Sequence, residues 1–95
     1  MLIIAGYLTV DAAHRDAFVA AHADLVRRAR QTPGCHDLAI TADPVDPTRV
    51  NNYERWESWE DIQAWRAIAD APDTGIPIVA DDVAMYDASG ERPPF

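Results

Sequence analysis

The first segment of the chain, Leu2–Val10, is apolar at both of its alternating sets of positions. In a strand, Ile4 and Leu8 would lie on one face, and Ile3 and Tyr7 on the other. A strand without polar alternation is usually covered on both faces. The pattern therefore predicts helices on one face of a sheet, and a cover from outside the single chain on the other.

An apolar stripe at helical spacing follows, between a candidate N-cap at Asp11 and about Gln31, where Pro33 and Gly34 end it. Its members recur at three- and four-residue intervals: His14, Phe18, Ala21, His22, Leu25 and Ala29. His22 lies just off the centre of this stripe, so its side chain can reach the space between helix and sheet. Its intrinsic pKa suits proton transfer, but a histidine that simply bonds to a carbonyl fits the pattern as well.

The later segments follow from the same two periodicities and from turn signals. They are a strand Cys35–Ala42, a hairpin turn with two Asp-Pro pairs, a strand Val50–Glu57, a helix capped by Ser58 with Asp61 and ended by Pro72, a loop Asp73–Asp82, a strand Val83–Ala88 and an irregular arm Ser89–Phe95. The order βαββαβ predicts a single α+β domain over residues 1–95. Its plan is ferredoxin-like, a four-stranded antiparallel sheet with two helices on one face.

The predicted third strand carries an unusual set of side chains on one face. Asn52, Glu54 and Trp56 are two residues apart and therefore point the same way. Polar groups on a covered face need partners or a polar ligand. The set therefore indicates either a binding site or side chains that bond to one another and to loop backbone.

The composition of the chain limits the kinds of partner and the cellular compartment that are expected. The net charge is −8, from 16 acidic and 8 basic residues, so nucleic acid and anionic membrane surfaces are disfavoured. A single cysteine, Cys35, excludes an internal disulfide. The chain carries no signal peptide pattern and no apolar run near 20 residues, which favours a reduced cytoplasmic protein. Because so short a chain buries little core, a homodimer is expected.

The sequence lacks the residue patterns of several common catalytic sites. The three histidines, His14, His22 and His36, form no metal-ligand spacing with each other or with Cys35. No glycine-rich phosphate loop and no serine nucleophile motif is present, so flavin, nicotinamide and triad chemistry have no support. The sequence predicts neither a metal nor a cofactor.

Three motifs together resemble the antibiotic biosynthesis monooxygenase family. They are Pro33-Gly34-Cys35, the turn Asp43–Pro47, and Asn-Tyr-Glu-Arg-Trp-Glu-Ser at Asn52–Ser58 leading into a helix. The resemblance implies homodimers of ferredoxin-like subunits whose sheets form a shared α+β barrel. It also implies oxidation of a small aromatic phenol, anthrone or quinol to a quinone by O2, without a metal or flavin.

By this resemblance Asn52 and Trp56 match the polar pair that lines the family's pocket. Asn52 would donate to a developing oxyanion, Trp56 would offer its indole N–H and a stacking face, and His22 would carry the proton. Glu54 would hold the Asn52 amide. Further candidate substrate-binding residues are Tyr7, Trp65 and Tyr86.

Haem-degrading relatives are similar in fold and use a histidine in the second helix as iron ligand. By spacing, this chain has Trp65 there, and its first strand has no asparagine. Three readings stay open. The leading one is the cofactor-free monooxygenase. The others are a non-catalytic dimeric ligand-binding or stress-related module on the same fold, and a haem-degrading monooxygenase.

Overall fold

A computed structural model describes residues 1–95 as one antiparallel sheet with helices on one face. The elements in chain order are β1 Leu2–Thr9, α1 Arg15–Ala21, α2 Ala23–Arg30, β2 Cys35–Ala42, β3 Arg49–Trp56, α3 Trp59–Ile68 and β4 Ala80–Asp87. The strand order is β2-β3-β1-β4, and every neighbouring pair is antiparallel. The α+β ferredoxin-like arrangement predicted from the sequence is therefore confirmed.

The first helical run differs from the prediction at its start and in its middle. The helix begins at Arg15, and the Asp11 carboxylate instead accepts the N–H of Ala13 at 2.8 Å in the preceding turn. At His22 the backbone has φ −92° and ψ 0°, and its N–H bonds to the carbonyl of Val19, three residues back. One tightened turn of 3₁₀ type therefore separates α1 from α2.

The second predicted helix begins where its cap signal indicated. The Ser58 hydroxyl accepts the N–H of Asp61 at 3.2 Å and donates to its carboxylate at 2.9 Å. The helix ends at Ile68, before Pro72, because Asp70 adopts a left-handed conformation with φ +48°. The capping interaction predicted from Ser58 and Asp61 is confirmed, and the helix is shorter than predicted.

The last strand begins three residues earlier than predicted, at Ala80 and not at Val83. Ala80 pairs with Thr9 across the ladder to β1. The polar residues Asp81 and Asp82 concealed this part of the strand, because β4 is an edge strand whose side chains are mostly exposed. An exposed edge strand carries little of the hydrophobic pattern from which strands are predicted.

The core consists of two hydrophobic clusters on the helix-facing side of the sheet. The larger cluster contains Ile4, Ala29, Leu38, Trp56, Ile62 and Trp65, and the smaller one Val10, Phe18 and Val50. Ile40 packs against both. Along β3, Asn52 and Glu54 occupy the two positions of this face between Val50 and Trp56. The sheet therefore turns polar between its two clusters.

The opposite face of the sheet carries no helix. Its apolar and aromatic residues are placed together by the register of β1 with β3 and β4, and include Ile3, Ala5, Tyr7, Tyr53, Ala84 and Tyr86. The open face thus carries the second apolar set that the pattern of the first strand indicated, beside the polar residues Arg49, Asn51, Arg55 and Asp82. No helix of the structure is long and apolar enough to cross a bilayer.

Candidate functional site

The polar residues of β3 form a hydrogen-bonded chain along the helix-facing side of the sheet. Nδ2 of Asn52 donates to Oε2 of Glu54 at 3.3 Å, and Nε1 of Trp56 donates to Oε1 of Glu54 at 3.0 Å. Each oxygen of the carboxylate thus accepts one neutral donor. The three side chains that share a face in the sequence pattern are joined through Glu54, the middle residue.

Glu54 has no cationic partner. The six ion pairs of the structure involve other residues, so no arginine or histidine nitrogen lies within 4.0 Å of its carboxylate. The side chain is half-buried. An unpaired carboxylate between two hydrophobic clusters is costly unless hydrogen bonds or a ligand compensate it. Glu54 is therefore a half-buried carboxylate on this face whose charge is compensated by hydrogen bonds and not by a cation.

Asn52 keeps hydrogen-bonding capacity for a ligand. Its one side-chain partner is Glu54, which leaves a second amide hydrogen and the carbonyl oxygen available. Across the ladder it faces Gly6, which adds no side chain above the sheet. Gly6 must be glycine, because its φ is +150° and a Cβ would overlap the carbonyl of Asp82 in β4. The half-buried amide therefore lies beside a glycine against which the backbone of β4 packs closely.

Trp56 and Trp65 belong to the core, which corrects two expectations from the sequence. Trp56 has no exposed surface and Trp65 is 5% exposed. Their rings stack with centroids 6.5 Å apart at an interplanar angle of 30°. The indole N–H of Trp56 is engaged by Glu54, so it is not free to meet a substrate. Both rings are buried where α3, which carries Trp65, packs on β3, which carries Trp56. The pattern of a single strand does not show this packing.

Tyr7 and Tyr86 lie on the open face of the sheet, away from Asn52. Tyr7 pairs with Asn51, and its ring lies under the Arg49 guanidinium at 3.9 Å. Tyr86 pairs with Ile3 and is 56% exposed. The two tyrosines, which the sequence offered as candidate substrate-binding residues, therefore lie on the opposite face of the sheet from Asn52, because alternation places them on the other side of the pleat.

His22 lies at the tightened turn between α1 and α2 with its ring held in place. Nδ1 contacts the carbonyl oxygen of Phe18 at 2.8 Å, and the two rings lie 4.5 Å apart. Because a carbonyl only accepts, the neutral imidazole carries its hydrogen on Nδ1 and leaves Nε2 as a basic nitrogen. The sequence admitted either a structural or a functional histidine, and this geometry accommodates both.

His22 borders a cleft of about 420 Å³ between α1 and the loop before β4. The cleft is lined by Phe18, His22 and residues 71–78. Neither Asn52 nor Glu54 borders it, and neither lines any of the other three surface cavities. The structure therefore brings Asn52, Glu54 and Trp56 together and places His22 at a separate opening.

The remaining reactive groups do not extend the site. No group of three or more His, Cys, Asp or Glu side chains is placed to hold a metal ion. Burial, and then the Glu54 carboxylate, raises the pKa of the Cys35 thiol. A thiol in such surroundings stays protonated at neutral pH and is a poor nucleophile. The sequence pattern assigned Glu54 a supporting role. The two-residue spacing Asn52, Glu54, Trp56 was the signal that could have identified it as the centre of the chain of contacts.

Comparison with known proteins places this fold among a group of small domains. A protein from Deinococcus radiodurans, described as a candidate antibiotic biosynthesis monooxygenase, superposes with a TM-score of 0.75 at 18% identity, covering 100% of this chain and 99% of that one. A similarly described protein from Chloroflexus aurantiacus has a TM-score of 0.75 at 26% identity, with 97% and 96% covered. A protein from Pseudomonas aeruginosa reaches 0.76 at 14% identity, with 94% of each chain covered.

No curated protein matches the chain. The family model for antibiotic biosynthesis monooxygenase matches residues 1–71, which include β1 to α3 and thus the whole Asn52–Glu54–Trp56 chain of contacts. The solved relatives share the complete fold over nearly their full length. The chain belongs to the antibiotic biosynthesis monooxygenase family.

Proposed function

We propose that this protein is a cofactor-independent monooxygenase that oxidises a small aromatic phenol, anthrone or quinol to a quinone with O2. Family membership supports the reaction class. The observation that carries the proposal is the Asn52 amide. It is half-buried between two hydrophobic clusters, held by Glu54, and has an N–H to spare.

The proposed reaction needs little from the protein beyond binding, an oxyanion donor and a proton route. The substrate loses a proton, and its anion passes one electron to O2. The two radicals combine to a peroxide. Loss of water from the peroxide leaves one oxygen atom in the new quinone carbonyl and the other in water. The substrate supplies both hydrogens of that water, so the balance requires no added reductant.

Asn52 is the proposed oxyanion donor. An amide N–H directed at a developing negative oxygen stabilises the transition state more than the ground state. The hydrogen bond to Glu54 fixes the position of the amide. The hydrophobic clusters on both sides suit an aromatic substrate.

His22 is proposed to exchange the proton with solvent. The Phe18 carbonyl fixes its tautomer with Nε2 unprotonated, and the residue borders an open cleft. A histidine in this position can shuttle a proton without touching the substrate. Its replacement should therefore lower turnover modestly.

We also propose that the protein acts as a homodimer in which a second copy covers the open face of the sheet. This face presents Ile3, Ala5 and Tyr53 without a helix over them. It also contains Arg55, whose Nε is buried without a hydrogen-bond partner. A buried donor left unpaired costs about 1–3 kcal/mol, so this face holds one uncompensated polar group beside its apolar residues.

Oxygen uptake tests the proposed function. Metal-stripped protein is assayed with a panel of anthrones and hydroquinones, against the autoxidation rate of each compound without protein. We expect at least one compound to consume O2 faster with the protein and to yield its quinone. Uptake at the protein-free rate for every compound, together with binding of the same compounds, would favour the ligand-binding module instead. A Soret shift on addition of haem would favour a haem-degrading enzyme.

A further inference from the structure

We propose that Glu54 is the base that accepts the first proton from the substrate. The inference rests on the proposed function, and it adds the residue that starts the reaction. It arises from a group that the oxyanion and proton-shuttle roles leave unused, a half-buried carboxylate without a cation on the helix-facing side of the sheet.

The hydrogen bonding of Glu54 leaves it able to accept a proton. A carboxylate offers about four lone-pair directions, and the Asn52 amide and the Trp56 indole occupy two. Both donors are neutral, so neither can pass a proton to the carboxylate at ordinary pH. No guanidinium lies within 4.0 Å to compete for the charge. Glu54 is thus oriented by two fixed donors and still available as a base.

The position of Glu54 beside Asn52 couples the two roles. Nδ2 of Asn52 and Oε2 of Glu54 are 3.3 Å apart, so an oxygen bound to the free N–H of Asn52 lies next to the carboxylate. A phenol or enolisable ketone bound there presents its acidic hydrogen to Glu54 while its oxygen faces the amide. A base and an oxyanion donor in adjacent positions are what proton abstraction next to a carbonyl requires.

His22 is the competing candidate for this step. Its ring contacts Phe18, and it borders a cleft that includes neither Asn52 nor Glu54. A general base must lie within hydrogen-bond reach of the proton that it removes. The geometry therefore assigns the first proton to Glu54 and places His22 outside this step.

The proton and electron balance is complete with Glu54 in this role. The substrate O–H or C–H bond breaks, an O–H bond forms on Glu54, and the electron pair stays on the substrate as the phenolate or enolate. After O2 has added, protonated Glu54 returns its proton to the peroxide oxygen. The regenerated carboxylate then takes the second hydrogen as the O–O bond breaks, and that proton joins the departing hydroxide to form water.

The test compares variants across pH with the full-length protein and a substrate that the wild type oxidises. Glu54→Gln removes the base, Glu54→Asp keeps a carboxylate, and Glu57→Gln is the matched control. Glu57 directly follows the last residue of β3, is exposed, and its carboxylate lies 2.7 Å from Nε2 of His36. We expect E54Q to lower kcat/KM by about 10²–10⁴-fold, the range for a general base, with E57Q close to wild type.

Two further readouts separate a base from a structural group. The fall of kcat/KM toward acid pH should vanish in E54Q and persist in E54D and in His22→Gln. Acetate or formate should partly restore turnover in Glu54→Ala, because the small carboxylate can occupy the vacated space. Melting curves for each variant show that rates are compared on folded protein.

Each outcome has a defined meaning. The fall of kcat/KM toward acid pH is the acid limb of the profile. If E54Q keeps this limb and most of its activity, the proposal is overturned and the proposed function stays intact. Loss of the acid limb in His22→Gln alone assigns the base to His22. If the alanine and glutamine variants do not fold, E54D and His22→Gln decide. An acid limb that is displaced along the pH axis in E54D and unchanged in His22→Gln supports the proposal, and an acid limb that is unchanged in E54D overturns it. A wild type without any turnover removes the proposed function and this inference together.

Discussion

Trp56 donates its indole N–H to the Glu54 carboxylate over 3.0 Å, although the indole itself has no exposed surface. The bond joins a fully buried donor to a half-buried charge. Hydrogen bonds to charged groups are stronger than neutral ones, and loss of one leaves its partner without compensation. The indole of Trp56 therefore contributes to stability and to the placement of Glu54.

Trp56→Phe should destabilise the fold by about 2–4 kcal/mol, because it removes a charge-assisted hydrogen bond and part of a core ring. Urea unfolding followed by circular dichroism measures the change. Trp59→Phe is the matched control, since Trp59 is 41% exposed on α3. Its cost should stay near 0.5 kcal/mol, the usual scale for surface changes. Equal unfolding midpoints for the two variants would contradict the assigned burial.

Asn52→Ala should lower kcat by about 10²–10³-fold, the effect of removing one oxyanion donor. The melting temperature should change little, because the one side-chain bond of the amide is long, at 3.3 Å, and the Glu54 carboxylate keeps the Trp56 donor. Oxygen uptake and thermal denaturation on the same samples give both numbers.

The neighbouring Asn51→Ala provides the opposite pattern. Asn51 accepts from Nε of Arg49 at 2.7 Å and donates to Asp43 at 3.0 Å, on the open face of the sheet. The Asn51→Ala variant should therefore have a lower melting temperature and keep its activity per folded molecule. A fall in activity that tracks the fall in melting temperature for both variants would mean that Asn52 is a packing residue.

The hairpin turn between β2 and β3 should weaken in acid. Hydrogen bonds from the N–H of Asp46, the Asn51 amide and the N–H of Val45 hold the pKa of Asp43 at about 2. The pKa of an aspartate in an unfolded chain is about 3.9. A lowered folded pKa means that the carboxylate stabilises the fold above the unfolded value, and that this contribution disappears as pH falls toward 2.

Asp43→Asn should therefore lower the melting temperature at pH 7, and the difference from wild type should shrink between about pH 4 and pH 2. Thermal denaturation across this range measures the difference. Asp81→Asn removes the same charge from an exposed carboxylate on β4 and serves as control. A constant difference between wild type and D43N across the range would show that the turn does not depend on this charge.

Sedimentation at micromolar concentration should give about twice the chain mass of 10.5 kDa. Ala84→Arg places a charge on the open face, on the edge strand β4 where Ala84 pairs with Ala5, and should yield monomers. Ala64→Arg introduces the same side chain on the exposed surface of α3 and should leave the dimer intact. A wild type that sediments as a monomer, or equal dissociation of both variants, would refute the proposed interface.

The order of elements could be predicted because its signals are local. The two-sided apolar strand at Leu2–Thr9 and the Ser58 cap need only neighbours in sequence to be recognised. The turn at His22 could not be predicted. The His22 N–H bonds to the carbonyl three residues back, whereas in an α-helix it would bond to the one four residues back. Because both choices leave the apolar stripe almost unchanged, the sequence does not distinguish them.

The site was predictable only in part, because burial and register depend on other elements. Alternation placed Asn52, Glu54 and Trp56 on one face, and the structure agrees. It did not show that Trp65 on α3 would cover Trp56 and remove it from contact with a ligand. Nor does the pattern of one strand show which residues of its neighbours share its face. For Tyr7 this followed only from its pairing with Asn51.

The edge strand β4 is attached to the sheet through β1 alone, and every one of its side chains except Val83 is exposed. Its backbone amides thus depend on one ladder with little buried apolar surface to support it. Local opening of such a segment requires far less free energy than global unfolding. We expect the β4 amides to exchange with deuterium well before those of β3, which has a partner strand on each side. Detachment of β4 would also remove the strand beside Gly6, so the polar position at Asn52 would open to solvent from that edge.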